Sequence, residues 1–304
     1  MKTLVTFQVN KRQREIGERI LGKENVVWYP EIAETDVLLI RDNNFPHNKV
    51  PKFIQVIFAG IDHIDLHNIP PETIISSNAR AYSIPVAEHV FALILAHMKK
   101  ISKFRQETFN GIFKPETTSI LYGKSLGVIG YGGIGSRVAH LGQAFGMRVL
   151  AIGRSRKDPN VNEMYTIEDL EKLLRQSDII VISLPLTTRT LGLIGTNQLT
   201  LVKKNSIMVN VARPEIVVRE DMLEFLSNRD DFSYLTDVWW DEPQLAESRR
   251  ENVTITPHVA GSLSEEALDM VFEEAFKNIK IFVDGGQVKN IVRREESVYV
   301  PRLK

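Results

Sequence analysis

The sequence contains no cysteine, so disulfides, thiolate metal sites and cysteine nucleophiles are excluded. It also lacks long apolar runs: VFALILA at 90–96 is far shorter than the ~20 residues that a membrane-spanning helix needs. Neither charge dominates, since Lys plus Arg and Asp plus Glu number 38 each, so no overall positive field favours nucleic acid. The first residues show no export signal. We therefore expect no membrane span, no nucleic-acid partner and a cytoplasmic location.

Candidate metal ligands are also few. The histidines never form an HExxH arrangement, and His63 with His67, at helical spacing, lack a third ligand. We interpret this pair as surface histidines and expect no bound metal.

What is present is an ordinary globular composition, with 43% hydrophobic and 25% charged residues. A length of 304 residues suits two domains, each able to bury a core. Strand-like apolar runs alternate with helix-compatible segments in 1–84 and again in 126–257. Because parallel strands need crossover connections, the chain is predicted to be α/β, with a doubly wound parallel sheet in the second stretch.

Two further segments predict helices. VAEHVFALILAHMKKISKF, from Val86 onward, is apolar nearly all round and predicts a buried helix. SLSEEALDMVFEEAFKNIKIFV predicts an amphipathic helix near the C-terminus, capped by Ser262 or Ser264. This second helix can return the chain to the first domain.

A glycine motif follows the first strand of the second stretch. In LGVIGYGGIGSRVA, Gly130, Gly132 and Gly135 form GxGxxG between a strand and a helix. The first glycine permits a tight turn, the second lets the backbone approach a pyrophosphate, and the third allows close helix packing. Glycines that serve only a turn are the alternative, but the strand and helix on either side favour a dinucleotide site.

The next strand, RVLAI, ends without the acidic residue that hydrogen-bonds an adenosine ribose. Gly153 stands there instead, followed by Arg154, Ser155 and Arg156. A carboxylate would repel a 2′-phosphate, whereas an ion pair at about 4 Å and an effective dielectric of ~20 is worth about 4 kcal/mol before desolvation. The sequence thus favours NADP(H), with NAD(H) possible; the alternative is a solvated basic turn without selectivity.

Residues with a definite combined chemistry follow three later strands. They are Arg213 in VNVARPEIV, Asp237 and Glu242 in LTDVWWDEP, and His258 in ITPHVAGS. The carboxyl ends of parallel strands line one crevice, so these side chains are expected to converge. Reduction of a 2-keto acid needs a cation for the carboxylate, a proton donor, and a group that keeps this donor protonated, roles that suit Arg213, His258 and Glu242. Asp237 is better placed for the nicotinamide carboxamide.

Taken singly, each of these residues has a structural explanation, such as a surface ion pair or a loop cap. Together, and around the glycine motif, they resemble the D-2-hydroxyacid dehydrogenase family, which includes glycerate and hydroxypyruvate reductases. The resemblance covers most of the chain. Its motifs are FAGIDHIDL (58–66), VAEHVFALILA (86–96), VIGYGGIG (128–135), SLPLTTRTLGLIG (183–195), VNVAR (209–213), DVWWDEP (237–243) and TPHVAG (256–261).

This resemblance implies two doubly wound parallel-sheet domains that close over the cofactor. Residues 1–85, completed by 262–304, would form a flavodoxin-like substrate domain, and 86–261 a Rossmann domain for the dinucleotide. A homodimer through the cofactor domains is expected, with a small 2-keto or 2-hydroxy acid as the substrate.

The resemblance also implies residue roles. Arg213, Glu242 and His258 form the catalytic triad, while Ala59, Gly60, Ile61 and Arg213 bind the substrate. The expected cofactor contacts are Gly130, Gly132, Gly133, Ile134, Gly135, Arg154, Ser155, Arg156, Leu184, Pro185, Thr190, Val211, Ala212, Asp237 and His258.

Some positions depart from the family pattern, and other functions share the fold. Pro214 stands where glycine is usual, and Val218 with Arg219 where an Asp-Glu pair is common. Similar formate dehydrogenases have glutamine at the position of Glu242, so this glutamate favours hydroxy acids. A non-enzymatic dinucleotide sensor that binds a partner stays open as an alternative. A methyltransferase is disfavoured because Gly153 replaces the acid that such enzymes need.

Overall fold

A computed structural model describes residues 1–46, 49–154, 158–245, 249–261 and 264–301. They fold into two compact units. The first unit comprises the described parts of Met1–Tyr82, Leu186–Arg189 and Ser262–Lys304, and the second those of Ser83–Pro185 and Thr190–Gly261. The sequence predicted a substrate domain and a cofactor domain. The assignment of these two functions to the two units stays a prediction.

The first unit contains a five-stranded parallel sheet with the order β2-β1-β3-β4-β5. This order is the flavodoxin-like one that the sequence resemblance implied. The strands are β1 (Thr3–Val5), β2 (Val26–Trp28), β3 (Val37–Ile40), β4 (Phe53–Val56) and β5 (Ile74–Ser76). Helices α1 (Lys11–Leu21) and α8 (Glu265–Val283) pack against each other beside it.

Apolar side chains bury both faces of this sheet. Leu39 belongs to the core beneath α1 and α8, together with Phe272 and Phe276. Its neighbour Leu38 belongs to a second core on the opposite face. Because successive strand side chains point to opposite faces, an unbroken run such as VLLI is what a sheet covered on both sides requires.

Side-chain caps begin both of these helices. Asn10 accepts a hydrogen bond from the Gln13 N–H and completes a capping box with the Gln13 side chain. Ser264 accepts a hydrogen bond from the Ala267 N–H. Of the two serines predicted to cap this last helix, Ser264 is therefore confirmed, while Ser262 lies outside the described residues.

The second unit contains a seven-stranded sheet with the order β12-β11-β10-β9-β6-β7-β8. Every neighbouring pair is parallel, which confirms the predicted class of two parallel-sheet α/β domains. The strands are β6 (Ser125–Ile129), β7 (Arg148–Ile152), β8 (Glu163–Tyr165), β9 (Ile179–Ile182), β10 (Ile207–Asn210), β11 (Ser233–Thr236) and β12 (Val253–Ile255). The helices are α2 (Ser83–Met98), α3 (Ile101–Phe109), α4 (Gly133–Ala144), α5 (Leu170–Gln176), α6 (Thr196–Leu199) and α7 (Arg219–Asn228).

Two details differ from the sequence-based expectation. The single helix expected from Val86 is two helices, because Lys100 has a φ of 54° and an α-helix does not continue through a left-handed residue. The edge strand β8 was not predicted, since its three residues are too few to show a period.

The strand order fixes where a ligand site belongs. Strand β6 lies between β7 and β9. The chain places β7 and β8 on one side of β6 and then β9 to β12 on the other side. At such a switch point the loops leaving the two central strands diverge and open a crevice at their carboxyl ends. The glycine motif leaves β6 at this place.

Candidate active site

The glycine motif forms a turn that only glycine can make at two positions. Gly130 has a φ of 107°, and a Cβ on it would lie 2.8 Å from the carbonyl carbon of Ser183. A Cβ on Gly135 would lie 1.9 Å from the carbonyl oxygen of Gly130. The first glycine therefore permits the turn, and the last lets helix α4 approach strand β6 closely.

Gly132, by contrast, faces open space, because a Cβ placed on it would meet no described atom within 4 Å. It is also the N-cap of α4, and as a glycine it offers no side chain to the N–H groups of the first turn. Gly133, Ile134 and Gly135 form that first turn. A helix N-terminus with room in front of it suits a pyrophosphate, so the loop fits a dinucleotide.

The end of β7 explains why no acid stands at residue 153. A Cβ on Gly153 would lie 2.6 Å from the Cβ of Tyr131, the residue between the first two motif glycines. An aspartate or glutamate here would collide with the glycine loop unless the loop moved. Arg154 follows directly, whereas Ser155 and Arg156 lie outside the described residues.

Most other predicted site residues follow β9, the neighbour of β6, or β10, the strand beyond it. Leu184 and Pro185 follow β9, and the Thr190 hydroxyl donates a hydrogen bond to the Pro185 carbonyl at 2.7 Å. Val211 and Ala212 follow β10. These residues therefore begin at the same edge of the sheet as the glycine loop.

The buried side-chain amide of Asn210 holds the backbone around Arg213. Arg213 follows β10, the strand next to β11. The Asn210 side chain donates to the Arg213 carbonyl at 3.0 Å and accepts the Ala212 N–H at 3.0 Å. It also donates to the Tyr234 hydroxyl at 3.2 Å. Burial raises the pKa of Tyr234 to about 12, so this phenol stays neutral. The guanidinium of Arg213 donates to the Ala212 carbonyl at 2.8 Å.

His258 and Glu242 form a hydrogen-bonded pair. The Nδ1 atom of His258 lies 2.9 Å from Oε2 of Glu242, and Oε1 of Glu242 accepts the Trp239 N–H at 2.5 Å. The pair follows strands β11 and β12, and Arg213 follows the neighbouring β10. Strands β10, β11 and β12 are neighbours in the sheet, so Arg213 and the pair follow strands that end at the same edge.

The backbone of His258 is strained. Its φ is 56°, in the left-handed region that non-glycine residues seldom adopt, although histidine does so more often than most. Such a conformation costs about 1–3 kcal/mol and persists only where the surroundings hold it. About half of the His258 side chain, 46%, is exposed. The imidazole is therefore accessible from solvent, and its backbone is held by the surrounding residues.

Asp237 is buried and bonded to the loop that carries His258. Its Oδ1 accepts the Val259 N–H at 2.9 Å and the Thr256 hydroxyl at 2.5 Å, and its Oδ2 accepts the Ala260 N–H at 2.7 Å. The predicted contact of Asp237 with a nicotinamide carboxamide stays a prediction.

Sequence reasoning missed two side chains that contact the predicted site. Thr256 is one of them, and His89 on α2 contacts it at 2.8 Å. A polar residue within the apolar run VAEHVFALILA was the available signal for His89. Thr256 carries no signal of its own, because a single loop hydroxyl forms no period or spacing pattern in the sequence.

One departure from the family pattern, Arg219, belongs to a set of contacts that joins two segments near the site. Arg219, at the start of α7, makes a two-bonded ion pair with Asp241, at 2.8 and 2.6 Å. The Trp240 indole donates to the Val217 carbonyl at 3.0 Å. The turn that carries Glu242 is thus attached to the segment that follows Arg213. Arg219, which makes the ion pair, stands at a position where a glutamate is common in the family pattern.

The remaining predicted substrate residues lie in the first unit. Ala59, Gly60 and Ile61 follow strand β4, near its carboxyl end, and are half-buried. The Phe58 carbonyl just before them accepts the Asn78 N–H at 2.9 Å. These residues thus occupy the edge of a parallel sheet where ligands bind in such folds.

Over the described ranges, no three His, Asp or Glu side chains are grouped as metal ligands would be. None of the described helices combines the length and apolar character needed to cross a bilayer.

Together, the fold and the site define a class of protein. A doubly wound sheet with a glycine loop at its switch point fits a dinucleotide, and a carboxylate-bound imidazole at the same sheet edge as an arginine suits proton transfer to an anionic substrate. This combination is that of a dinucleotide-dependent oxidoreductase.

Comparison with known proteins supplies the family. Residues 91–260 match the family "D-isomer specific 2-hydroxyacid dehydrogenase, NAD binding domain". A glyoxylate reductase of Pyrococcus horikoshii is 32% identical over 93% of this chain and 88% of its own, and a glycerate dehydrogenase of Methylorubrum extorquens is 30% identical over 91% and 88%. The crystal structure of a glycerate dehydrogenase related protein from Thermoplasma acidophilum is 44% identical, covers 93% of this chain and 100% of its own, and has a TM-score of 0.74.

The chain belongs to the D-isomer specific 2-hydroxyacid dehydrogenase family, which confirms the resemblance found in the sequence. It is an oxidoreductase of hydroxy acids that uses a nicotinamide dinucleotide.

Proposed function

We propose that this enzyme reduces the ketone of a small 2-keto acid such as glyoxylate or hydroxypyruvate, or oxidises the matching D-2-hydroxy acid, and that it favours NADP(H) over NAD(H). The names of its relatives, glyoxylate reductase and glycerate dehydrogenase, support a small substrate. The first unit is the substrate domain in this proposal, and the second unit binds the cofactor.

The observation that carries the proposal is the pairing of His258 with Glu242. Since Nδ1 lies 2.9 Å from a carboxylate oxygen of Glu242, this contact orients the imidazole ring. The other ring nitrogen, Nε2, is then the atom that donates a proton to the ketone oxygen. Glu242 can hold the ring in place because the Trp239 N–H fixes its second oxygen.

Arg213 binds the substrate carboxylate in this proposal. A guanidinium presents a planar fork of donors that matches a carboxylate with two parallel hydrogen bonds. Ala59, Gly60 and Ile61 contribute contacts from the substrate domain. The cation also lowers the energy of the negative charge that develops on the ketone oxygen.

The cofactor would lie along the carboxyl edge of the second sheet. Gly130, Gly132, Gly133, Ile134 and Gly135 would hold the pyrophosphate. When bound, the nicotinamide supplies the hydride for the ketone carbon. The other proposed contacts are Leu184, Pro185, Thr190, Val211, Ala212, Asp237 and His258.

The proposed preference for NADP(H) has two supports. Tyr131 leaves no room for an acid at Gly153, so the repulsion that normally rejects a 2′-phosphate is absent. Arg154 follows at once, and the sequence continues with Ser155 and Arg156. Cations and a hydroxyl at this place suit a phosphate.

A panel of 2-keto acids tested with both cofactors decides these points. We expect NADPH consumption with glyoxylate or hydroxypyruvate, and a kcat/KM for NADPH at least about tenfold above that for NADH, equal to about 1.4 kcal/mol. A preference for NADH would reject the cofactor proposal alone. Absence of turnover with every acid and both cofactors would instead favour the dinucleotide-sensing alternative.

A homodimer through the cofactor domains is also proposed, and an exposed apolar segment of the second unit supports it. Phe109 and Phe113 are 90% and 94% exposed. The exposed apolar side chains of this segment are Ile101, Phe109, Ile112, Phe113, Ile120 and Tyr122. Exposed aromatic and aliphatic side chains so close in sequence are typical of surfaces that a partner covers, and a second copy is the occupant proposed here. The cytoplasmic location stays a prediction.

Light scattering after size-exclusion chromatography tests the dimer. The double variant Phe109→Ser/Phe113→Ser is expected to elute as a monomer while wild type elutes as a dimer, because the substitutions remove two large apolar contacts. Ile32→Ser is the control, since Ile32 is 75% exposed but lies in the first unit. A dimeric double variant, or a monomeric wild type, would contradict the proposal.

A further inference from the structure

A chain of side-chain contacts connects helix α2 to the loop that carries His258. The Nε2 atom of His89 lies 2.8 Å from the Thr256 hydroxyl oxygen, and that oxygen lies 2.5 Å from Oδ1 of Asp237. His89 Nε2 is also 3.6 Å from the same carboxylate oxygen. The side chains of His89 and Asp237 are only 19% and 3% exposed, so these contacts are shielded from water.

The chemistry of the three groups fixes the direction of each hydrogen bond. Asp237 receives two backbone N–H groups, from Val259 and Ala260, and acts as an acceptor. Thr256 has a single hydroxyl proton, and its 2.5 Å contact with Asp237 is far shorter than its 3.5 Å contact with the Thr236 carbonyl. The hydroxyl therefore donates to Asp237. Its oxygen is left to accept from His89, which must carry its proton on Nε2.

These contacts bind the residues on both sides of the strained His258. Thr256 stands two positions before His258, and Val259 and Ala260 directly follow it. The His258 N–H donates to the Thr256 carbonyl at 2.9 Å, which closes a tight turn. Since a left-handed histidine needs outside support, the groups that bind both flanks of this turn determine where its imidazole points.

Packing in the core does not by itself explain a histidine at position 89. The apolar residues of α2 pack within the core of the second unit, where a leucine fills space without a desolvation cost. A buried imidazole is tolerated when its polar atoms have partners. The partner of His89 here is the hydroxyl that completes the support of the His258 turn.

We infer that His89 is a positioning residue for His258. Its Nε2–H fixes the Thr256 oxygen, Thr256 in turn directs its proton to Asp237, and Asp237 holds the two residues after His258. The imidazole then stays aligned with Glu242 and with the substrate ketone. This inference rests on the proposed role of His258 as the proton donor.

Matched substitutions test the donor on His89. His89→Gln places an amide N–H near the original Nε2, whereas the shorter His89→Asn cannot reach Thr256. We expect His89→Asn to lower kcat by about tenfold to a hundredfold, the loss typical of a misplaced catalytic group, and His89→Gln to recover most of it. The NADPH dissociation constant, from quenching of tryptophan fluorescence, is expected to stay within about twofold of wild type.

Thr256 offers an independent pair. Thr256→Val keeps the shape and removes the hydroxyl, and Thr256→Ser keeps the hydroxyl. We expect the valine variant to lose kcat as His89→Asn does, and the serine variant to stay much closer to wild type. If one variant fails to fold, as judged by thermal unfolding, the other pair decides the result.

His97→Asn is the control for a histidine on the same helix outside this network, and its kcat is expected to stay near the wild-type value. Equal kcat values for His89→Asn and His89→Gln, or an unchanged kcat in Thr256→Val, would overturn the inference. A loss in His97→Asn as large as that in His89→Asn would do the same.

Failure of the proposed function is distinguishable from failure of this inference. If wild type turns over no keto acid, the proposed function fails, and the NMR resonance of the His258 Cε1–H still reports on the turn. We expect this resonance to shift in His89→Asn and Thr256→Val but not in His97→Asn. An unshifted resonance in both variants would reject the positioning role.

Discussion

His258→Gln is expected to lower kcat by about a hundredfold to ten-thousandfold, the usual contribution of a general acid, while cofactor binding changes little. Glutamine can still donate a hydrogen bond near the ketone, but it cannot transfer a proton at neutral pH. Steady-state kinetics with the best keto acid, together with fluorescence titration of NADPH, measures the two effects separately.

His140→Gln is the matched control, because this histidine lies on the exposed side of α4. It should behave as wild type in both measurements. If His258→Gln weakens NADPH binding as much as it lowers kcat, the residue is acting in cofactor binding rather than as the proton donor. A kcat within about tenfold of wild type would remove it from the proposed chemistry altogether.

Arg213→Gln is expected to lower kcat/KM by about a thousandfold, because it removes a charge pair worth up to about 4 kcal/mol at an effective dielectric of ~20. Arg213→Lys should recover only part of the loss, since an ammonium keeps the charge but lacks the planar fork. The kinetics of hydroxypyruvate reduction provide the measurement for both variants.

Hydroxyacetone, which has the same ketone without the carboxylate, separates binding of the carboxylate from other effects. The ratio of the two substrates' kcat/KM values should fall sharply in Arg213→Gln and stay constant in Arg175→Gln, a variant of an exposed arginine in α5. An unchanged ratio in Arg213→Gln would mean that Arg213 does not bind the carboxylate.

Several features were predictable because they depend on neighbouring residues along the chain. The glycine motif needs a strand before it and a helix after it, and β6 and α4 supply both. The buried strands were predictable from short runs of valine, isoleucine and leucine. Strand β8 was not predicted, because a three-residue edge strand has no period. The helix break at Lys100 was not predicted either, because a left-handed residue other than glycine has no clear sequence signature.

Other features depend on residues far apart in the sequence. The sequence proposed Asp237 as a site residue but gave no sign that its carboxylate supports the His258 turn. The Arg219–Asp241 pair spans 22 positions, and the contact of His89 with Thr256 spans 167. Hydrogen bonds of this kind leave no periodic pattern in either segment that takes part.

The sequence by itself determined the α/β class and the place of the glycine loop, and it proposed Arg213, Glu242 and His258 as the catalytic residues. Local chain geometry and side-chain chemistry require certain residues at certain spacings, so these features can be read in order along the chain. Only the tertiary structure decided which side chains hold the proposed proton donor in place. Such positioning depends on direction over a few ångströms, and only the packing of strands and helices sets that direction.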